Sequence, residues 1–229
     1  MTIEIIVPLA GPDYVDIDGK IKGENSSGEV LFLREILMSR KWYNDETNFF
    51  IFVFRDHEAT RRLYSEQIVN WFTNSNAVFL SHGTLGAALT TLSAVGNVSD
   101  FSSPLIIDLA DIHYDCTTNP VDLLNNEDVH GVGLTFKSDL PIYSYLLFDE
   151  DGNFISSREK NRISTDASAG TYLFKSSLVF VKSLMKILEE YSEHEHNGLM
   201  YVCPVFNGLK SLNMYVRNFR VLNVVDVKV

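Results

Sequence analysis

Cysteine is nearly missing from this chain: there are two in 229 residues, Cys116 and Cys203. They lie far apart with no companion pair, so neither a zinc-binding spacing nor a disulfide framework can be built. A reducing, cytoplasmic setting is the expectation. Long apolar runs are missing too. The longest, Phe49 to Phe54, falls far short of the roughly 20 residues of a membrane span. Met1 to Ala10 carries Glu4 inside its apolar run and has no basic start, so it does not read as a signal peptide. Positive charge is scarce: nineteen Lys and Arg stand against thirty Asp and Glu, a formal net charge of −11. Nucleic-acid backbones are bound by clustered cations, so DNA and RNA are poor partners for this balance. A small phosphorylated ligand stays open, because it needs only one or two positive groups and usually a metal ion. No nucleophile elbow and no Ser-His-Asp order is present, which ranks hydrolase chemistry low. The histidines are scattered. His194 and His196, two apart in a polar loop, do not fit helical metal spacing and read as solvated.

What is present is an ordinary globular composition, 45% hydrophobic and 21% charged, which excludes disordered and fibrous classes. Short apolar runs alternate with longer helical patterns. Ile3 to Leu9 reads as a buried strand stopped by Ala10-Gly11-Pro12. Strands are also expected at Phe49 to Phe54, Ala77 to Leu80 and Leu105 to Leu109. Helices are expected at Val30 to Arg40, Glu58 to Phe72 and Gly86 to Val95. Alternation at this spacing predicts βαβ units and a mostly parallel sheet. Continuously apolar strands agree, since parallel strands are buried on both faces.

After about residue 130 the pattern changes to strands joined by turns: Gly131 to Lys137, Ile142 to Phe148, Phe154 to Ser157 and Ala169 to Lys175. Asp149 to Asn153 is a hairpin turn built around Gly152. Ser176 is placed to cap a helix running to about Glu190. A polar loop, a short helix over Pro204 to Leu212, and one or two strands from Val216 to Val227 complete the chain. The fold class is α/β with a hairpin-rich second half.

Four places can carry chemistry. The turn Leu9-Ala10-Gly11-Pro12-Asp13 sits at a strand's carboxyl end, where α/β sheets bind ligands and a glycine admits phosphate. Taken by spacing alone it reads first as a plain strand-ending turn, because it lacks a G-x-G-x-x-G fingerprint. The segment Ser81 to Leu92 opens a helix of small residues. Gly86, Ala87 and Ala88 allow a flat ring to lie against the backbone, and Thr84 can cap the helix or face a base edge. The same residues also suit close packing on a sheet. Asp111 follows a buried strand, where a carboxylate is costly unless paired, metal-bound or solvated. Magnesium commonly takes one or two carboxylates plus substrate phosphates. Asp108 is expected to point to the other side and cap a neighbouring element. Arg158-Glu159-Lys160 follows the hairpin, and taken alone it is a surface pair.

Taken in order along nearly the whole chain, these segments resemble the sugar-phosphate nucleotidyltransferases, which make UDP-, dTDP-, CDP- or GDP-sugars. Ile5 to Gly11 resembles that family's opening strand and loop. Gly28 to Leu37 resembles the segment in which a G-x-P-h tetrad opens a helix. Thr84 to Leu92 resembles its T-x-G-A-A-x-T-x-L base-binding turn, and Pro104 to Asp111 the strand that delivers a metal aspartate. Tyr145 to Phe174, with Asp151-Gly152, Glu159-Lys160 and Gly170 to Phe174, resembles the stretch around the sugar. Asn197 to Asn207 resembles an N-G-E-F-Y-x-x-P-x-Y-N segment.

The resemblance implies a three-layer αβα, Rossmann-like mixed sheet in one domain, with residues 1–115 binding nucleotide and 116–229 binding sugar. It implies Mg2+ held by Asp111 and Asp226, and Lys22 facing the phosphates. Leu9, Ala10, Gly11, Thr84, Gly86 and Ala87 would contact nucleotide, while Glu159, Lys160 and Gly170 would contact the sugar. A homodimer is implied as the assembly, and surface-polysaccharide biosynthesis as the setting.

The chain departs from the family in the signature loop, Gly11 to Gly23. The second glycine is absent, Pro12 removes an amide donor, and no arginine is present. Asp13, Asp16 and Asp18 add negative charge, and the tetrad Gly28-Glu29-Val30-Leu31 lacks its proline. A like-charge pair about 4 Å apart costs roughly 4 kcal/mol at an effective dielectric near 20, so these carboxylates must point away or bind cations if a triphosphate is to enter. Three functions follow: a nucleotidyltransferase with an unusual substrate, a glycosyltransferase-like enzyme using a sugar nucleotide, and a non-catalytic binding protein that keeps the fold.

Overall fold

A computed structural model of the chain describes residues 2–12, 14–16 and 19–227. Asp13 and Asp18 of the signature loop lie outside the described residues.

The first half is built as the apolar rhythm requires. β1 (Ile3–Leu9) is central and pairs in parallel with β2 (Asn48–Arg55) and with β4 (Leu105–Asp108). β2 pairs in parallel with β3 (Ser75–Leu80). Between these strands run α1 (Leu31–Ser39), α2 (Glu58–Arg62), a π-helical turn over Leu63–Ile68, α3 (Val69–Trp71) and α4 (Ala87–Ala94). The expected single helix from Glu58 to Phe72 is therefore interrupted. The widened turn carries Gln67, whose side chain accepts from the Val30 amide (3.1 Å) and donates to the Gly28 carbonyl (2.7 Å). Val30 stands where the tetrad's proline would be. The amide that a proline would lack is satisfied by this glutamine.

β5 (Ile112–Asp115) leaves the main sheet and pairs antiparallel with the late strand β11 (Leu222–Asp226). β6 (Val129–Lys137), β7 (Tyr145–Phe148), β8 (Phe154–Arg158) and β9 (Asp166–Phe174) form antiparallel pairs. β9 joins the two halves, lying antiparallel to both β4 and β6. β10 (Tyr215–Arg220) adds a parallel strand beyond β6. The main sheet runs β10-β6-β9-β4-β1-β2-β3, with β7 and β8 branching from it.

Strand alternation sends successive side chains to opposite faces. Ile5, Val7 and Leu9 of β1, with Phe50, Phe52 and Phe54 of β2, pack against α1 and the α2–α3 region. Ile6, Ile51, Val53 and Ile107 face α4, α5 (Ser177–Leu188) and α7 (Val205–Ser211). The result is three layers, helix–sheet–helix, with a core on each side. Phe50, Phe52 and Phe54 are buried in one row, and Phe72 closes on Phe50 with ring centroids 4.6 Å apart. α5 begins as its sequence requires: Ser176 caps it by accepting from the Val179 amide. α6 (Tyr191–His194) is a single short turn after it. Among the described residues, no helix is long and apolar enough to cross a membrane.

Candidate functional site

A cleft of about 500 Å³ opens at the carboxyl ends of β1 and β4, where an open α/β sheet binds its ligands. Pro8, Leu9, Gly11 and Pro12 form one wall, and Leu109, Ala110 and Asp111 another. Tyr14, Lys22 and Gly23 come from the signature loop, Phe32 from α1, Ala87 from the start of α4, and Tyr201 and Val227 from later in the chain.

The signature loop is a small hairpin rather than a glycine-rich cradle. Val15 bridges Ile21, the Lys22 amide donates to the Tyr14 carbonyl (2.9 Å), and the Asp16 carboxylate accepts from the Lys20 amide (2.8 Å). Tyr14 anchors the hairpin by burying its ring against Phe54, with centroids 6.0 Å apart. Burial pushes the Tyr14 hydroxyl's pKa well above the ordinary tyrosine value. Among the described residues lining the cleft, Lys22 is the one cationic side chain and Asp111 the one carboxylate.

Asp111 is 8% exposed and sits on a turn that is tightly held. Asp108, at the end of β4, grips Arg40 with both carboxylate oxygens (2.7 and 3.0 Å) and accepts from the Ala110 amide (2.9 Å). Arg40 also donates to the Ile112 carbonyl (3.1 Å) and lies 4.0 Å from the centre of the Tyr114 ring. Both partners of the ion pair are 1% exposed. Burial is the largest single influence and would lower the guanidinium's pKa, but the Asp108 carboxylate, Tyr114 and Asp111 together outweigh it and hold the group above its ordinary value. Ala110 adopts φ +52, a conformation that costs a non-glycine residue energy unless its surroundings fix it. The pair thus straddles the turn that aims Asp111. Asp108 does point away from the cleft, as its strand position predicts. Its charged partner Arg40 carried no signal in the sequence.

Gly170 makes room on the other side of Asp111. It has φ +72, and a Cβ there would stand 2.7 Å from Asp111 Oδ1. Its carbonyl accepts from the Leu109 amide (2.9 Å). Asp226 is brought alongside by the β5–β11 pairing, which sets Asp226 opposite Ile112 and lets the Val227 amide donate to the Asp111 carbonyl (3.0 Å). Tyr143 hydrogen-bonds Asp226. Burial first, then that carboxylate, pushes the phenol's pKa up to about 12.

At the start of α4, Gly86 has φ +108 and a Cβ would fall 2.3 Å from the Met200 carbonyl oxygen. The Met200 amide donates to Leu85 (2.8 Å) and its carbonyl accepts from Ala88 (3.0 Å). This backbone contact seats the Met200 segment and delivers Tyr201 to the cleft. The Thr84 hydroxyl is turned into its own loop, 2.5 Å from the Thr90 hydroxyl and 3.1 Å from the Gly86 carbonyl.

Of the residues expected to act, Leu9, Gly11, Lys22, Ala87 and Asp111 line the cleft together. Gly86 adjoins the lining Ala87, Gly170 touches Asp111 and Asp226 adjoins the lining Val227, while Thr84 is not among the lining residues. Ala10 packs into the core on the α4 side of the sheet. Glu159 accepts a hydrogen bond from the Ser144 hydroxyl. Lys160, at φ +46, holds its ammonium 5.6 Å from the centre of the Tyr201 ring, so it reaches the cleft's edge through that tyrosine.

Among the described residues, no group of three or more His, Cys, Asp or Glu could by itself hold a metal ion. Asp111, nearly buried at the cleft wall with Asp226 one strand away, fits an ion that takes one or two carboxylates and completes its shell from substrate phosphates and water.

No protein-family model and no curated protein sequence matches the chain. Solved structures do. A nucleoside-diphosphate-sugar pyrophosphorylase from Vibrio cholerae RC9 superposes with a TM-score of 0.74 at 18% identity, covering 100% of this chain and 96% of that one. The chain shares the fold of that pyrophosphorylase. A UDP-glucose pyrophosphorylase complexed with UDP-glucose matches at 0.66, with 13% identity over 100% of this chain and 94% of that one. The inositol-1-phosphate CTP transferase from T. maritima matches at 0.61, with 15% identity over 98% and 87%. The shared fold thus extends over all of this chain, including the antiparallel second half.

Proposed function

We propose that the chain is a nucleotidyltransferase that joins a nucleoside monophosphate, taken from a nucleoside triphosphate, to a phosphorylated sugar or analogue. The observation that carries this reading is the cleft itself: Asp111, on a turn held by the buried Arg40–Asp108 pair, and Lys22 line one space of about 500 Å³. The pyrophosphorylase fold of its structural neighbours supports it.

In this reading a phosphate oxygen of the sugar phosphate forms a bond to the α-phosphorus. The bond from that phosphorus to the bridging oxygen of the β-phosphate breaks, and pyrophosphate leaves with the electron pair. Catalysis of this kind rests on alignment and charge neutralisation. Asp111, with Asp226 beside it, would hold magnesium, which neutralises phosphate charge when bound. Leu9, Gly11 and Ala87 give the nucleotide a close backbone wall, and Gly86 shapes the turn that carries it. Lys22 supplies a positive charge to the phosphates. Lys160 and Glu159, beyond Tyr201, and Gly170, behind Asp111, would serve the sugar side. A cytoplasmic role in surface-polysaccharide assembly fits such a product.

A second reading, glycosyl transfer from a sugar nucleotide, is favoured by the hairpin loop. A diphosphate carries less charge than a triphosphate and suits a cleft whose described lining includes one cation. The test is pyrophosphate release from each nucleoside triphosphate with magnesium and a panel of sugar 1-phosphates. Release that is lost in Asp111→Asn supports transfer of a nucleotidyl group. No release, combined with calorimetric binding of a nucleoside-diphosphate sugar, moves the assignment to glycosyl transfer. No nucleotide binding at all leaves a non-catalytic role.

A further inference from the structure

A second pocket, of about 430 Å³, lies on the outer side of β8 and shares no lining residue with the cleft. Ile155, Ser156 and Arg158 of β8 form one side, His194 of α6 another, and Asn207, Lys210 and Ser211 of α7 the floor. Its charge is unusual for this protein. Among the described residues no carboxylate lines it, on a chain with net charge −11.

The groups that converge there have donors to spare. Arg158 gives one N–H to the Glu193 carbonyl, and a guanidinium has five. Lys210 gives one to the Ile155 carbonyl (2.5 Å), and an ammonium has three. These two backbone contacts fix where the charged heads point without neutralising them. Asn207 is locked to Ser157 by two hydrogen bonds, donating at 2.9 Å and accepting at 2.8 Å. α7 and β8 therefore hold the two cations at a set spacing. His194 is partly buried, its Nδ1 3.4 Å from the Asn207 amide nitrogen and its Nε2 3.9 Å from the Glu190 carboxylate. Expected from the sequence to be solvated, it instead walls this pocket.

We propose that this pocket is a second ligand site that takes a small phosphate monoester, with the phosphate held between Arg158 and Lys210. Charge-assisted hydrogen bonds from a planar guanidinium and an ammonium suit a tetrahedral dianion. The volume falls within the range of small-molecule sites and exceeds the need of a bare phosphate, and the exposed Ile155 offers an apolar wall to the organic part. The site also adjoins the cleft along two chain segments. Arg158 and Lys160 are two residues apart, and Lys160 meets Tyr201; His194 leads to His196, whose ring lies 6.3 Å from the Tyr201 ring.

The test is a titration of the 15N-labelled full chain with inorganic phosphate and, separately, glucose 6-phosphate, at constant ionic strength. The proposal expects saturable amide shifts at Ser156, Asn207 and Ser211, with glucose 6-phosphate binding more tightly. R158Q/K210Q should weaken binding about tenfold or more, since two charge-assisted hydrogen bonds are lost. D111N, which alters only the cleft, should leave this affinity unchanged. Shifts that stay linear, or an unchanged affinity in R158Q/K210Q, would overturn the site. Equal or weaker binding of glucose 6-phosphate than of inorganic phosphate would overturn the monoester assignment. If the double variant does not fold, S156E, which sets a carboxylate at the rim, must weaken binding in the same way, and failure to do so also overturns the proposal.

Discussion

Replacing Arg40 with methionine would leave the Asp108 carboxylate buried with the Ala110 amide as its donor. Removing one partner of a buried ion pair costs about 3–5 kcal/mol, because the remaining charge is stranded without water. That is a large share of a typical total stability of roughly 5–15 kcal/mol. At about 2–4 °C per kcal/mol for a chain of this size, the midpoint of thermal unfolding should fall by roughly 6–20 °C. Urea unfolding followed by circular dichroism measures the same loss without heating. The double variant R40M/D108L provides the control. It removes both charges, and apolar replacement of a whole buried pair is often neutral or stabilising. It should therefore be more stable than R40M alone. A loss below about 1 kcal/mol in R40M, or a double variant less stable than the single one, would refute the account, since either result means the carboxylate is not stranded. The same pair braces the turn carrying Asp111. On the proposed function, in which Asp111 holds Mg2+, R40M should accordingly weaken Mg2+-dependent nucleotide binding by about 10–100-fold, the usual effect of losing a group that orients a metal ligand.

Gly86→Ala forces a Cβ to within 2.3 Å of the Met200 carbonyl oxygen at φ +108. It should cost at least about 1–3 kcal/mol in urea unfolding and displace Tyr201, read as weaker nucleotide-analogue binding. Phe52→Ala empties the centre of the aromatic row on β2 and should cost about 3–5 kcal/mol, measured by the same unfolding curves. The His194 imidazole should titrate below its ordinary 6.5 in an NMR pH series, because burial and then the nearby Arg158 disfavour its charged form. The stability this neutral ring contributes is present above pH 6.5 and is lost as the pH falls. An NMR midpoint at or above 6.5 would contradict the placement.

The strands were legible because each is a short apolar run bounded by turn residues. β1 was read with its observed limits, Ile3–Leu9, and β2 differs by one residue at each end. The cap at Ser176 is a local hydrogen bond and left a local mark. What escaped depends on partners distant in the chain. Arg40 and Asp108 are 68 positions apart, and nothing near Arg40 distinguishes it from a surface arginine. The π-helical turn exists where Gln67 reaches Gly28 and Val30, 37 to 39 positions away. β5, four residues including His113 and Asp115, has no apolar run of its own and becomes a strand only by pairing with β11. In the site, Gly11, Ala87 and Asp111 follow from their places at strand and helix ends. Tyr14 and Phe32 also line the cleft, and no motif around them marks them for it.

The pairing of β5 with β11 also sets an order of events. Asp111 and Val227 are joined by a backbone hydrogen bond across more than a hundred residues, and contacts of such separation form late, after the entropy of closing the intervening loop has been met. A ribosome-bound chain could fold β1 to β4 and their helices soon after they emerge. The acidic corner of its cleft would stay unfinished until residues 222–227 had also emerged and docked. On the proposed function, chemistry at Asp111 would then be withheld until β11 is in place, so the first appearance of activity in a pulse-labelled synthesis would mark its docking.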